Sequence, residues 1–182
     1  AFKPYKRNDK KCIKLISVGR FHWKKGYRYA LDSMALLKSK GFDVHYTIVG
    51  SVNPTEAIAY QIEQLDLKNQ VSFIGNVSQK ELISILHTHD ILLLTSVEEG
   101  IANVVLEAMA LGTLVVCTNC GGMNEVIIDA KNGFLVPVRD TKSMALALEK
   151  VSNLTLTSYQ EITKNARETV ENQHSHKKMI SE

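Results

Sequence analysis

The chain has 182 residues, 45% of them apolar and 23% charged, with a formal net charge of +3. That length and mixture describe one ordinary soluble domain with a sizeable core. Lys and Arg are spread along the chain and not gathered into a stripe, so charge alone points to neither nucleic acid nor an acidic membrane, while a mild positive balance suits a phosphate-bearing ligand.

The N-terminal AFKPYKRNDKK is polar and lacks the apolar stretch of a signal peptide. The longest apolar runs, such as ILLL and TLVV, fall far below the roughly 20 residues that cross a bilayer. Location in the cytoplasm is the expectation. Three cysteines, Cys12, Cys117 and Cys120, cannot all pair, which argues against a disulfide framework. Cys117 and Cys120 form a CxxC, but Cys117 closes a strand-like run and there is no second pair for zinc, so both are expected to be small core residues.

In chain order, short apolar or β-branched runs occupy 12–18, 44–49, 71–74, 91–95, 113–117 and 133–136. Helical periodicity fills about 27–40, 55–66, 79–88, 103–111, 123–129 and 141–152. This alternation predicts βαβ units with right-handed crossovers, and hence an α/β fold with a parallel, doubly wound, Rossmann-like six-stranded sheet and helices on both faces. Near-continuous apolar runs such as ILLL fit strands buried on both sides. The doubly wound order 3-2-1-4-5-6 makes strands 1 and 4 neighbours where the winding reverses, and ligands bind at the carboxyl ends of such strands.

The loops to inspect are therefore GRFHWKKG after strand 1 and SVEEGIAN after strand 4. Arg20 and Lys25, between Gly19 and Gly26, form a cationic clamp for an anion. Asn103 is expected to cap the following helix, with Glu99 in the loop above it and Glu107 about a turn inside. First-turn amides from about Ala102 to Leu106, with the helix dipole, make an anion site. Gly121 and Gly122 mark a sharp turn or a close approach of backbone to ligand, and Asn124 is expected to cap the helix behind them. His22 and Trp23 have two open readings, lining the crevice or covering the sheet edge. Cations and amides hold a diphosphate, and ionised carboxylates, as pure acceptors, bind sugar and ribose hydroxyls. The ligand class implied is a nucleotide diphosphate sugar. A dinucleotide-dependent oxidoreductase is disfavoured because the first loop lacks G-x-G-x-x-G.

The blocks SVGRFHWKKG, VSFIGNV, ILLLTSVEEGIANVVLEAMALGTLVVCTNCGGMNEVI and NGFLVPVRD, in this order over about residues 13–152, resemble the C-terminal half of a retaining GT-B glycosyltransferase of family 4, the group 1 glycosyl transferases. The resemblance implies that Arg20, Lys25 and Glu99 serve the transfer itself, the first two by neutralising the donor diphosphate and Glu99 beside the donor sugar. It makes Glu107 the group that grips the ribose. Donor contacts are implied at Gly19, at Ile74, Gly75 and Asn76 along the base, and at Gly100, Ile101, Ala102, Asn103 and Val104 along the phosphates and sugar. Where many members carry an aromatic and a small residue after Glu-Gly, this chain has Ile101, Ala102 and Asn103.

A UDP- or GDP-sugar is the donor expected, with no metal and no true cofactor. The family also implies an N-terminal domain that binds the acceptor, a glycan or lipid-linked saccharide. Residues 1–11 then read as linker, 12–152 as the nucleotide-sugar-binding domain and 153–182 as a helical tail cut short. A half enzyme with little activity alone is expected, serving cell-envelope or capsular polysaccharide synthesis, with peripheral membrane association of the whole enzyme. The alternative is a non-catalytic nucleotide-sugar-binding module.

Overall fold

The computed structural model describes residues 12–173, so the expected linker at 1–11 and the end of the tail at 174–182 lie outside the described residues. Six strands form one sheet: β1 (Cys12–Val18), β2 (Asp43–Val49), β3 (Val71–Ile74), β4 (Ile91–Leu94), β5 (Leu114–Thr118) and β6 (Phe134–Val136). Their order is β3-β2-β1-β4-β5-β6, and every pairing is parallel. Among the described residues seven α-helices accompany them: α1 (Tyr27–Ser39), α2 (Glu56–Gln64), α3 (Gln79–Leu86), α4 (Asn103–Leu111), α5 (Met123–Val126), α6 (Thr141–Ser152) and α7 (Leu156–Gln173). The expected architecture and strand order are observed.

Alternation along the strands builds two cores, because successive side chains of a strand point to opposite faces. Leu15, Ile91, Leu93, Leu114 and Val116 face one side, where α1 and α6 cover them with Leu31, Met34, Leu37, Met144 and Leu148. Ile16, Leu92, Leu94, Val115 and Cys117 face the other, against Val105, Ala108 and Met109 of α4, Leu86 of α3 and Met123 of α5. The apolar pattern thus fixes the helix layers, and the crossovers place the loops after β1 and β4 side by side at one end of the sheet.

The polar helix expected after residue 153 forms as α7 and packs on the domain through Tyr159, Ile162 and Ala166, all buried. The Tyr159 hydroxyl donates to the Asp90 carbonyl at 2.7 Å and accepts from the Leu114 amide at 3.2 Å, so this helix is stitched to two strand starts. The cysteines are free thiols, and Cys117 and Cys120 are buried as expected of core residues. Burial pushes the Cys117 thiol up to about 12, which leaves it protonated and unreactive at neutral pH.

Two helix starts differ from expectation. Ala102, not Asn103, is the N-cap of α4, and Asn103 is its first helical residue. Ala102 is buried at 8% exposure in the core against α4, which anchors the turn one residue earlier. Likewise Gly122, not Asn124, precedes α5, because Met123 is fully buried and already belongs to the helix.

Candidate functional site

The loop after β1 is short of regular structure but tightly held. Trp23–Lys25 form one 3-10 turn, which the sequence reading did not foresee. Nδ1 of His22 accepts from the Lys24 amide at 3.3 Å and caps the turn. Gly26, at φ 64°, closes it and its amide donates to the Trp23 carbonyl at 3.2 Å. A Cβ on Gly26 would lie 2.0 Å from the Thr95 carbonyl oxygen, so only glycine lets this loop approach the tip of β4 so closely.

Backbone bonds then lock the two loops together. The Val97 amide donates to the Lys24 carbonyl at 2.7 Å, and the Thr95 hydroxyl donates to the Lys25 carbonyl at 2.8 Å. This convergence brings Lys25 to Glu99: Nζ and Oε2 are 2.5 Å apart, with both side chains about three-quarters buried. Ser96 Oγ donates to the same carboxylate oxygen at 3.2 Å. The stem of Lys25 runs past Gly19, where a Cβ would meet Lys25 Cε at 3.3 Å. The carbonyl of Gly19 accepts from the Tyr27 hydroxyl at 2.7 Å. Burial, together with the Glu99 carboxylate, raises the Tyr27 phenol above its ordinary value and keeps it a donor.

Behind Glu99 stands the turn after β5. Gly121, at φ 54°, would place a Cβ 1.6 Å from the Glu99 carbonyl oxygen. The close approach read from the paired glycines is therefore to the Glu99 loop. A Cβ on Gly122 would lie 2.9 Å from Ile101 Cγ1, which fixes that side chain from behind. Thr118 Oγ1 donates to the Ser96 carbonyl at 2.5 Å and secures the same loop.

Glu107 takes another direction. Half-buried on α4, it accepts from Gln79 Nε2 at 3.4 Å, at the start of α3 and just beyond the β3 loop. The two carboxylates thus diverge, Glu99 towards the β1 loop and Glu107 towards the segment holding Ile74, Gly75 and Asn76. Ile74 and Gly75 are half-buried and Asn76 is exposed; the Ile74 carbonyl accepts from the Gly50 amide at 2.8 Å. Between the carboxylates lies the α4 N-terminus, where no side chain caps the helix. The Val105 amide turns back to the Ala102 carbonyl at 2.9 Å, and Gly100, Ile101 and Asn103 are exposed while Val104 is half-buried. An uncapped helix start of this kind presents amides and a positive dipole end to an anion.

Arg20 is exposed beside Gly19 and has no ion pair among the described residues. Glu98 pairs with Lys24 at 2.7 Å on the surface, apart from Glu99. His22 and Trp23 line a separate cavity on the α1–α2 side of the loop. Tyr27, Thr95, Ser96, Thr118 and Gln79 were missed from sequence: Thr95, Thr118 and Gln79 act through partners more than 20 residues away, which spacing does not reveal, while Ser96 and Tyr27 act on the nearby Glu99 and Gly19 and carry no motif of their own.

Residues 2–169 match the family model described as glycosyl transferases group 1. The chain belongs to that family. Among its group 1 relatives is the putative colanic acid biosynthesis glycosyltransferase WcaL of Escherichia coli K12, 35% identical over 166 residues, which cover 87% of this chain and 41% of that protein. The chain thus spans about two-fifths of that relative. A glycosyltransferase from Rickettsia africae superposes with a TM-score of 0.85 at 25% identity, covering 94% of this chain and 46% of that one. Anabaena HepE, solved in complex with UDP-glucose, superposes with a TM-score of 0.79 at 23% identity, covering 93% and 49%. The sheet is that of a Rossmann-like half of the GT-B fold.

Proposed function

We propose that this chain is the donor-binding half of a retaining glycosyltransferase that moves a hexose from a nucleotide diphosphate sugar, a UDP-sugar by preference, to a saccharide acceptor in extracellular polysaccharide synthesis. The observation that carries the reading is the Lys25–Glu99 pair, held across the tips of β1 and β4 beside the uncapped start of α4. Family membership, the polysaccharide-synthesis relative and the UDP-glucose complex of HepE support it.

In this reading the donor diphosphate lies between Arg20 and Lys25 on one side and the amides of Gly100 to Val104 on the other. Each charge-assisted hydrogen bond contributes on the order of 1.5–3 kcal/mol when water is excluded. Lys25 moves from Glu99 to the phosphate, which frees the carboxylate to accept from sugar hydroxyls. Glu107 accepts from the ribose hydroxyls, with the base against the backbone of Ile74 to Asn76 and Gly19 below the phosphates. As the sugar–phosphate bond breaks, the fixed cations and amides stabilise charge growing on the leaving diphosphate, so these residues need no metal to do so. The acceptor hydroxyl attacks from the face the diphosphate leaves, its proton passing to a phosphate oxygen, and the anomeric configuration is retained. In this reading the acceptor is bound by a part of the enzyme outside this chain, in keeping with a span of about two-fifths of the WcaL relative, and the chain alone binds donor without transferring it.

Thermal denaturation with UDP-, GDP- and ADP-sugars tests this. A ligand at 100 times its dissociation constant stabilises the fold by about 2.7 kcal/mol. At roughly 2–4 °C per kcal/mol for a domain of this size, Tm rises by about 5–10 °C. Arg20→Ala and Glu107→Ala each reduce the shift. No shift with any donor, or shifts untouched by both substitutions, refutes the site.

A further inference from the structure

On the far side of the loop that carries Lys25 lies a second, separate concavity. Its volume is about 580 Å³, and it opens between the β1 loop and the facing sides of α1 and α2. That size is within the range of roughly 300–1,000 Å³ typical of small-molecule sites. Phe21 and Tyr27 contribute aromatic walls, their ring centroids 5.1 Å apart in an edge-to-face arrangement, and Phe73 buttresses Phe21 at 5.9 Å. At the mouth stands Trp23, 64% exposed, an unusual outlay of aromatic surface to water.

The polar lining is ordered. Gln61 Nε2 donates to Asp32 Oδ1 at 2.7 Å and to the Arg28 carbonyl at 3.0 Å, which fixes the amide and leaves its oxygen as an acceptor. Asp32 keeps a second acceptor oxygen, and Arg28, whose guanidinium lies 5.0 Å over the Tyr29 ring, lines the cavity beside it. Arg28 and Asp32 cancel in charge, so the lining favours a neutral, hydroxyl-rich ligand over an ion. Flat aromatic surface beside fixed donors and acceptors matches a pyranose ring, whose C–H face is apolar and whose rim of hydroxyls both donates and accepts.

We propose that this cavity is a saccharide-docking subsite, formed by Trp23 together with Arg28, Asp32 and Gln61, that holds a short stretch of neutral glycan beside the transfer site. It borrows from the donor reading only that the chain handles sugars, and it adds a distinct site. The same 3-10 turn presents Trp23 to the cavity and Lys25 to Glu99, so glycan seated here lies next to the place of transfer.

Trp23 is the chain's single tryptophan, so tryptophan-selective emission reports on the 3-10 turn at this cavity, and the Asp32 and Gln61 variants assign the response to the cavity. The chain is titrated with maltotriose, cellotriose and chitotriose, with sorbitol as a polyol lacking a ring face. The expected result is a saturable blue shift with at least one trisaccharide and none with sorbitol. Asp32→Ala and Gln61→Ala each weaken it by about fivefold, the equivalent of one neutral hydrogen bond. Both leave the UDP-induced thermal shift unchanged, whereas Glu107→Ala reduces the UDP shift and leaves the trisaccharide response intact. Failure of the UDP arm alone therefore strikes the donor reading and not this one. A response that is absent with all three trisaccharides, matched by sorbitol, or insensitive to Asp32→Ala and Gln61→Ala overturns the subsite. A blue shift that instead grows with protein concentration overturns it in favour of self-association through Trp23.

Discussion

Gly121→Ala strikes the Glu99 loop where its packing is tightest. The new Cβ would sit 1.6 Å from the Glu99 carbonyl oxygen, against 3.4 Å for ordinary contact, so the Glu99 loop or the β5 turn must give by about 1.8 Å. The backbone at φ 54° adds a conformational cost of roughly 1–2 kcal/mol for a non-glycine residue. Gly41→Ala isolates that second cost, since Gly41 sits at φ 83° with nothing within 4 Å of its would-be Cβ. At roughly 2–4 °C per kcal/mol, Gly41→Ala lowers Tm by about 2–8 °C and leaves donor binding alone. Gly121→Ala lowers Tm further and also displaces Glu99; since a lost hydrogen bond to a charged group is worth about 1.5–3 kcal/mol, UDP-sugar affinity falls by about tenfold or more. The assays are thermal melts and calorimetric titration of both variants. A Gly121→Ala protein that melts like Gly41→Ala and binds donor like the unaltered chain would show that the Glu99 loop is not fixed from behind, and the positioning argument would fail.

Other outcomes follow from the same contacts. Lys25→Met weakens binding of both UDP and a UDP-sugar by at least about tenfold, since one charge-assisted hydrogen bond is lost. Glu99→Gln weakens the UDP-sugar but not UDP, which separates sugar recognition from diphosphate recognition in titration calorimetry; equal losses would contradict that division. Excess EDTA leaves the donor-induced thermal shift unchanged, and a shift abolished by EDTA and restored by a divalent cation would contradict the assignment of charge neutralisation to Arg20 and Lys25. His89 is buried, with Nε2 2.9 Å from the Thr47 hydroxyl, and burial lowers its pKa below the usual histidine value. The unfolded chain then binds the proton more tightly, so His89 contributes stability above about pH 6.5 that drains away as pH falls below it. His89→Gln flattens that part of the Tm–pH profile, and an unchanged acid slope would refute the linkage.

Much of this was legible in the sequence because it depends on local periodicity. Runs such as ILLL and LVVC are apolar on both faces, which only a parallel sheet covered on both sides requires, and from six such runs the order and switch point follow. The candidate residues Lys25 and Glu99 were legible because topology alone brings the loops after β1 and β4 together. What holds them there was not. Gly26 against Thr95 and Gly121 against Glu99 are close approaches of distant backbone segments, and a glycine in a sequence does not say what it faces. The shift of the α4 cap from Asn103 to Ala102 has the same origin, since the burial of Ala102 in the packed domain outweighed the capping preference of asparagine. The docking of α7 rests on four buried side chains, Tyr159, Ile162, Thr163 and Ala166, and on the Tyr159 hydroxyl's bonds, too few to stand out in a segment that reads as polar.

A crystal structure of this chain soaked with UDP and a UDP-sugar tests most simply whether the tips of β1 and β4 hold the donor. The diphosphate is expected between Arg20 and Lys25 and the first turn of α4, with Lys25 moved off Glu99, the ribose at Glu107 and the sugar at Glu99. Nucleotide bound elsewhere, or bound with the Lys25–Glu99 pair intact, would contradict this placement.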